Sequence, residues 1–300
     1  MSTQLETVHP EIAGRSPGQI AWMRFKRNKN RFGLARKPVP TPGQPPRQRH
    51  KGVYLLPNLF TTAALFCGFY GIVQAMSNQF TTAAVAIFAA MVLDSLDGRV
   101  ARMTNTQSAF GAEYDSLADM VSFGAAPALI VYEWALHGMG KLGWVAAFVY
   151  VAGAALRLAR FNTNAAVVDK AWFQGLPSPA AAALVTGFVW VMDDVKMAGA
   201  ELDWLAWAIT FYAGVTMVSS VPFFSGKDFH FRKSVPFLVL ALIPLVFALA
   251  SQDPPKVLFG VFVLYGLSGY VVYLVRRVRG QGLKGLDIER ISISKPPEVQ

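Results

Sequence analysis

Apolar stretches at 53–76, 80–98, 117–136, 143–163, 178–193, 203–223, 235–251 and 257–275 take up most of this 300-residue chain and restrict its fold more than any other feature. A hydrocarbon core about 30 Å thick is crossed by about 20 helical residues, a length these stretches approach or exceed. In lipid, backbone N–H and C=O groups must be satisfied within the segment, so stretches of this kind read as helices. With 53% hydrophobic and 15% charged residues, and a mean hydropathy of +0.36, the chain is more apolar than a soluble domain of its size. The expected fold is all-α, a polytopic integral membrane helical bundle of about eight transmembrane helices. The two shortest stretches, 178–193 and 235–251, lie near the lower limit, which leaves counts of six or seven open.

Lys and Arg accumulate on the cytoplasmic side of membrane proteins. Placing 1–52, 97–110, 157–177, 224–234 and 276–300 on that side puts all but Lys141, Lys196 and Lys256 of the 28 basic residues there. Both termini are therefore expected in the cytoplasm. The net charge of +10 is juxtamembrane, so membrane lipid is the expected partner and nucleic acid is not. The chain divides into three regions: a basic Pro-rich head at 1–52, a transmembrane domain at 53–276 and a tail at 277–300. The head contains no apolar h-region, so no cleavable signal peptide is expected. Residues 20–27 mix Trp22 and Phe25 with Arg24, Lys26 and Arg27, as a segment lying on an anionic leaflet would. The prolines from Pro38 to Pro46 read equally as an extended linker. Cys67 is the single cysteine and is expected as a buried apolar thiol.

Against this background four aspartates stand out. Asp94, Asp97, Gly98, Ala101, Arg102, Gly111, Asp115 and Asp119 form the string D-x2-D-G-x2-A-R-x8-G-x3-D-x3-D. A charge at membrane depth costs several kcal/mol on most scales and needs a metal, a partner or a water-filled cavity to offset it. Eight fixed identities at these spacings arise by chance with a probability on the order of 10⁻⁷ or less at average residue frequencies. Asp94 and Asp97 are three apart, on one face of a helix, with the small residues Gly98 and Ala101 four beyond each. That leaves room for a bulky group such as a nucleotide. Gly111, Asp115 and Asp119 are spaced by four and form a second stripe. Antiparallel helices joined by the short connection at 103–110 can bring the four carboxylates together, where they would repel one another without a cation. All-oxygen ligation favours Mg²⁺ or Mn²⁺, with Ca²⁺ compatible, and the four histidines show no zinc-ligand spacing. A single aspartate near Arg99 or Arg102 would read equally as one half of a helix-end ion pair; four in register do not.

The eight residues resemble the signature of the CDP-alcohol phosphotransferase (phosphatidyltransferase) family, matching at every position, over about residues 53–275. The resemblance implies that Asp94, Asp97, Asp115 and Asp119 hold divalent metal at the pyrophosphate of a CDP-linked donor, with Asp115 and Asp119 catalytic and Asp119 the general base. It places Gly98, Ala101, Arg102 and Gly111 at the donor. Pro57-Asn58-Leu59-Phe60-Thr61 is similar to the family's donor-contacting segment, which adds Asn58 and Thr61. The strings at 115–127, 156–162 and 173–180 are similar to the phosphatidylserine synthase branch. Met120 stands where members accepting glycerol phosphate or inositol phosphate tend to have Lys. The branch implies CDP-diacylglycerol and L-serine as substrates, a homodimer, and a bacterial inner membrane location with the active site facing the cytoplasm.

Arg157 and Arg160 share a helix face and read either as ligands for a serine carboxylate or donor phosphate, or as topology anchors. Ser178 lies in Gly175-Leu-Pro-Ser-Pro179, a shaped entry into the fifth span and a further candidate for substrate contact. A relative using another amino-alcohol acceptor, such as a phosphatidylcholine synthase, would share the donor machinery. An ion-coupled transporter would also place acids around a cation, but it is expected to show an inverted repeat with acids at the midplane, and here they cluster near one end of one helix pair.

Overall fold

The computed structural model describes residues 55–104, 106, 108–164, 172–224, 248 and 251–278. The head at 1–52, nearly all of the 235–251 stretch and most of the tail lie outside these residues. The described residues form mainly helices: α1 (Leu55–Met76), α2 (Phe80–Met103), α3 (Ala109–Asp119), a π-turn (Met120–Ala125), α4 (Ala126–Trp134), α5 (Lys141–Asn164), α6 (Ser178–Asp194), α7 (Asp203–Val218) and α8 (Pro254–Val278). Among them, α1, α2, α5 and α8 are long and apolar enough to cross a membrane.

Small residues set the packing. The buried face of α2 is Ala83, Ala84, Ala86, Ile87 and Ala90, which lets α1 lie close against it. The turn between them passes through Asn78 at φ +57°, a left-handed conformation that Asn tolerates. The first turn of α2 takes its partner from another helix: Asp193, at the end of α6, accepts from the Thr81 N–H at 3.1 Å and from the Thr81 hydroxyl at 2.6 Å. A carboxylate at a helix N-terminus is favoured by the orphan N–H groups and the macrodipole there.

Helix α6 is buried at almost every position from Ser178 to Val191. That explains why its apolar stretch is short: its 17 residues are wrapped by other helices and present little surface to lipid. Large apolar side chains on the outer helices face the other way. Phe66 is 65% exposed and Leu264 71%, as lipid-facing positions should be in a bundle whose solvent is hydrocarbon.

Two features depart from the all-α expectation. The 117–136 stretch belongs to a longer helical run that starts at Ala109 and is interrupted by the π-turn. Packed against the helices, β1 (Trp172–Gln174) pairs antiparallel with β2 (Pro222–Phe224), with Phe173 opposite Phe223. Strands of three residues carry too little period-two pattern to be legible in a sequence. Gly175 makes the ribbon's exit. Its φ is +77°, its N–H donates to Val221 O at 2.9 Å, and a Cβ there would come within 2.3 Å of Met217 O. Gly175→Ala should therefore lower the thermal midpoint in detergent by several degrees, since a strained left-handed residue costs about 1–3 kcal/mol before the clash is counted. Gly138→Ala, where a Cβ meets nothing within 4 Å among the described residues, should leave the midpoint unchanged.

Candidate active site

Two helix ends build the site. The last turns of α2 carry Asp94 and Asp97, and α3 returns with Asp115 and Asp119. The connection between them is pinned by short polar bonds. Thr106 N–H donates to Ala101 O at 3.0 Å, the Thr104 and Thr106 hydroxyls pair at 2.7 Å, and Ser108 caps α3 by accepting from Gly111 N–H at 3.0 Å. Sequence reasoning passed over Ser108, although a Ser just before a helical stripe is a start signal.

The stripes meet. One carboxylate oxygen from each of Asp94, Asp97 and Asp115 lies within 4.8 Å of the others. Asp119 comes within hydrogen-bonding reach of Asp94, and Asp115 within reach of Asp97, so the acids pair crosswise between the helices. Asp97 is 5% exposed, and its Oδ2 accepts from the Thr61 hydroxyl of α1 at 2.7 Å. Asp115 Oδ1 is buried with no hydrogen-bond partner among the described residues. A buried carboxylate oxygen without a donor, surrounded by other carboxylates, is unfavourable in the bare protein and suits a hard divalent cation. The residues present fit such an ion.

Beside the cluster opens a cleft of about 340 Å³, bordered by Asn58, Thr61, Asp97, Gly98, Ala101, Arg102, Gly111 and Asp115. All the residues expected at a nucleotide-linked donor thus line one space. The two glycines serve different ends. A Cβ at Gly98 would meet nothing within 4 Å among the described residues, so the absent side chain keeps the cleft open. At Gly111 it would press on Ser108 Oγ at 3.1 Å and Asn58 Oδ1 at 3.4 Å, so the absent side chain lets the cap and α1 approach. Arg102 Nε donates to Gly98 O at 2.9 Å, which lays its side chain along the rim. The Thr62 hydroxyl and Tyr114 Oη, 2.9 Å apart, tie α1 to α3.

The far side of Asp119 is met by α5. Arg157 interacts electrostatically with Asp119, and its guanidinium donates to the fully buried Ser178 hydroxyl at 2.7 Å. Ser178 therefore holds Arg157. Arg160 makes no hydrogen bond or ion pair with the cluster among the described residues, so the two arginines that share a helix face differ in their surroundings. Asn162 Nδ2 donates to Ser116 Oγ at 3.0 Å and links α5 to α3.

A family model described as CDP-alcohol phosphatidyltransferase matches residues 54–217. A protein from Helicobacter pylori (strain J99) described as CDP-diacylglycerol--serine O-phosphatidyltransferase is 38% identical over 224 residues, covering 75% of this chain and 94% of that protein. Proteins of the same description from Mycobacterium tuberculosis (strain H37Rv) and Methanocaldococcus jannaschii are 33% identical over 251 residues and 32% over 204. They cover 80% and 67% of this chain, and 83% and 88% of the respective relatives.

The cluster's geometry sets expectations for metal binding. Asp97→Asn and Asp115→Asn should each weaken Mn²⁺ binding by more than a hundredfold. Thr61→Val, which removes a bond to one of the acids, should weaken it by about 10- to 100-fold. The electron paramagnetic resonance signal of free Mn²⁺, titrated with purified protein, measures both. Wild-type affinity in Asp115→Asn would remove the cluster from consideration as a metal centre.

Proposed function

This chain belongs to the CDP-alcohol phosphatidyltransferase family, and on that premise we propose that it transfers the phosphatidyl group of CDP-diacylglycerol to the hydroxyl of L-serine, giving phosphatidylserine and CMP. The observation that carries the reading is the cluster of Asp94, Asp97 and Asp115 opening on a cleft lined by small residues, in a chain whose relatives bear that reaction in their names.

In this mechanism Asp94, Asp97, Asp115 and Asp119 would hold a divalent ion, Mg²⁺ or Mn²⁺, with Ca²⁺ also compatible with the oxygen donors. Bound there, the ion supplies charge neutralisation at the donor pyrophosphate and so favours departure of CMP. The chain's own residues do the rest. Asn58, Thr61, Gly98, Ala101, Arg102 and Gly111 seat the CDP portion in the cleft. Arg157, steadied by Ser178, binds the serine carboxylate, a task suited to a planar guanidinium. Asp119 accepts the proton of the serine hydroxyl as the hydroxyl oxygen forms its bond to the lipid-bearing phosphorus. The bond from that phosphorus to the bridging pyrophosphate oxygen breaks, and CMP leaves. The place of Asp119, next to Asp94 and facing Arg157, supports its role between the cluster and the acceptor.

The positive-inside distribution supports eight spans with both termini and the active site on the cytoplasmic side, and the resemblance to the phosphatidylserine synthase branch supports a bacterial inner-membrane location and a homodimer. The regions 1–52, 53–276 and 277–300 are then head, catalytic domain and tail.

Purified protein with CDP-diacylglycerol and Mg²⁺ or Mn²⁺ should release CMP with serine and not with choline, glycerol 3-phosphate or inositol. Release with another alcohol alone would overturn the acceptor assignment. Asp119→Asn should reduce turnover at least a thousandfold while donor affinity stays within a few-fold. Arg157→Lys should raise the serine KM about tenfold or more through loss of bidentate geometry, and Arg160→Lys should leave it within twofold. An unchanged KM in Arg157→Lys would return that residue to the role of topology anchor.

A further inference from the structure

Between Asp119 and α4 the helix is wound as a π-turn, from Met120 to Ala125, with Ala126 N–H donating to Val121 O five residues back. The sequence supplies the cause. Pro127 has no N–H, and its ring crowds the carbonyl four residues earlier, which is that of Phe123. An α-helical donor for Phe123 C=O is therefore missing at a fully buried position. Tyr150 of α5, itself fully buried, fills the role: its hydroxyl donates to Phe123 O at 3.0 Å. The turn is seated on α1 as well. Ser122 Oγ donates to Ala64 O at 3.1 Å, and a Cβ on Gly68 would come within 2.7 Å of Ser122 Cα, so only a glycine admits this approach.

The π-turn starts at the residue after Asp119, and one extra residue in a helix rotates the upstream segment by about 100° relative to the downstream one. Downstream, α4 is anchored in the core through Ala126, Ile130 and Val131. Upstream lies the stripe of Gly111, Asp115 and Asp119. The winding of the turn thus sets the azimuth at which these acids meet Asp94 and Asp97.

We infer that Tyr150 is a positioning residue for the active site: its hydroxyl holds the π-turn at Phe123 and so phases Asp115 and Asp119 toward the acids of α2. This rests on the function proposed above, with which it shares the metal centre.

Tyr150→Phe keeps the ring and removes only the hydroxyl. It should weaken Mn²⁺ binding about tenfold, read from the resonance signal of free Mn²⁺, and lower kcat for CMP release by a similar factor with the serine KM within twofold. Pro127→Ala restores the missing N–H and permits α winding, so it should show the same pattern. Thr186→Val serves as the control, because it also deletes one buried hydroxyl, the one donating to Ala182 O at 2.7 Å on α6, and it should leave Mn²⁺ binding unchanged. Wild-type Mn²⁺ affinity in Tyr150→Phe overturns the inference, as does an equal loss in Thr186→Val, which would mark a general loosening. Failure of the wild-type protein to bind Mn²⁺ would remove the metal-centre reading itself and this inference with it.

Discussion

Repulsion among carboxylates held in partly apolar surroundings is the interaction on which the arrangement of this bundle turns. Ionised carboxylate oxygens no more than 4.8 Å apart repel by roughly 3 kcal/mol or more at an effective dielectric constant of about 20, and Asp94, Asp97 and Asp115 form three such pairs. The surrounding helices offset part of it. Thr61 donates to Asp97, and Arg157 brings positive charge toward Asp119. Asp115 Oδ1 receives no hydrogen bond among the described residues. Among the described residues the chain thus leaves a deficit that suits a divalent cation, and an ion bound there would stabilise the fold by linkage.

Holding repelling groups together requires a rigid frame, and each wall of the site is made in a different way. Helix α1 approaches through small residues and contributes Thr61. The α2–α3 connection is shortened by the threonine pair and the Ser108 cap. Beside Asp119, Arg157 is fixed by Ser178 at the start of α6, a helix buried at nearly every position and entered through Pro177 and Pro179. Because α6 is enclosed, its end is a firm point: Asp193 at the opposite terminus anchors the first turn of α2. A single enclosed helix therefore fixes both Arg157 on α5 and the first turn of the helix that carries Asp94 and Asp97.

Much of the fold and site could be read in advance. Seven of the eight apolar stretches contain helix among the described residues, four of them in helices long and apolar enough to cross a membrane, while the stretch at 203–223 is helical only to Val218 and ends in β2. The spacings 94–97 and 111–115–119 place residues on one helix face whatever the tertiary context, so the two acidic stripes were legible, as were the small residues beside them. Less visible was the ribbon of Trp172–Gln174 with Pro222–Phe224, whose strands are too short to show a period. Arg157 and Arg160 look alike in sequence, three apart on one helix, and only the packing of α5 against α6 gives the first a buried partner.

The chain's composition and spacing specify helices, the side of each helix that bears acid, and the type of ion such acids suit. These are local properties, set by the 3.6-residue period and by the cost of charge in hydrocarbon. The rotation of one stripe against the other is a different matter. It depends on a π-turn whose cause, Pro127, lies in the sequence but whose stabilising bond comes from Tyr150 on another helix. Phase between helices is a sum of contacts between segments far apart in the chain, and only tertiary packing determines it.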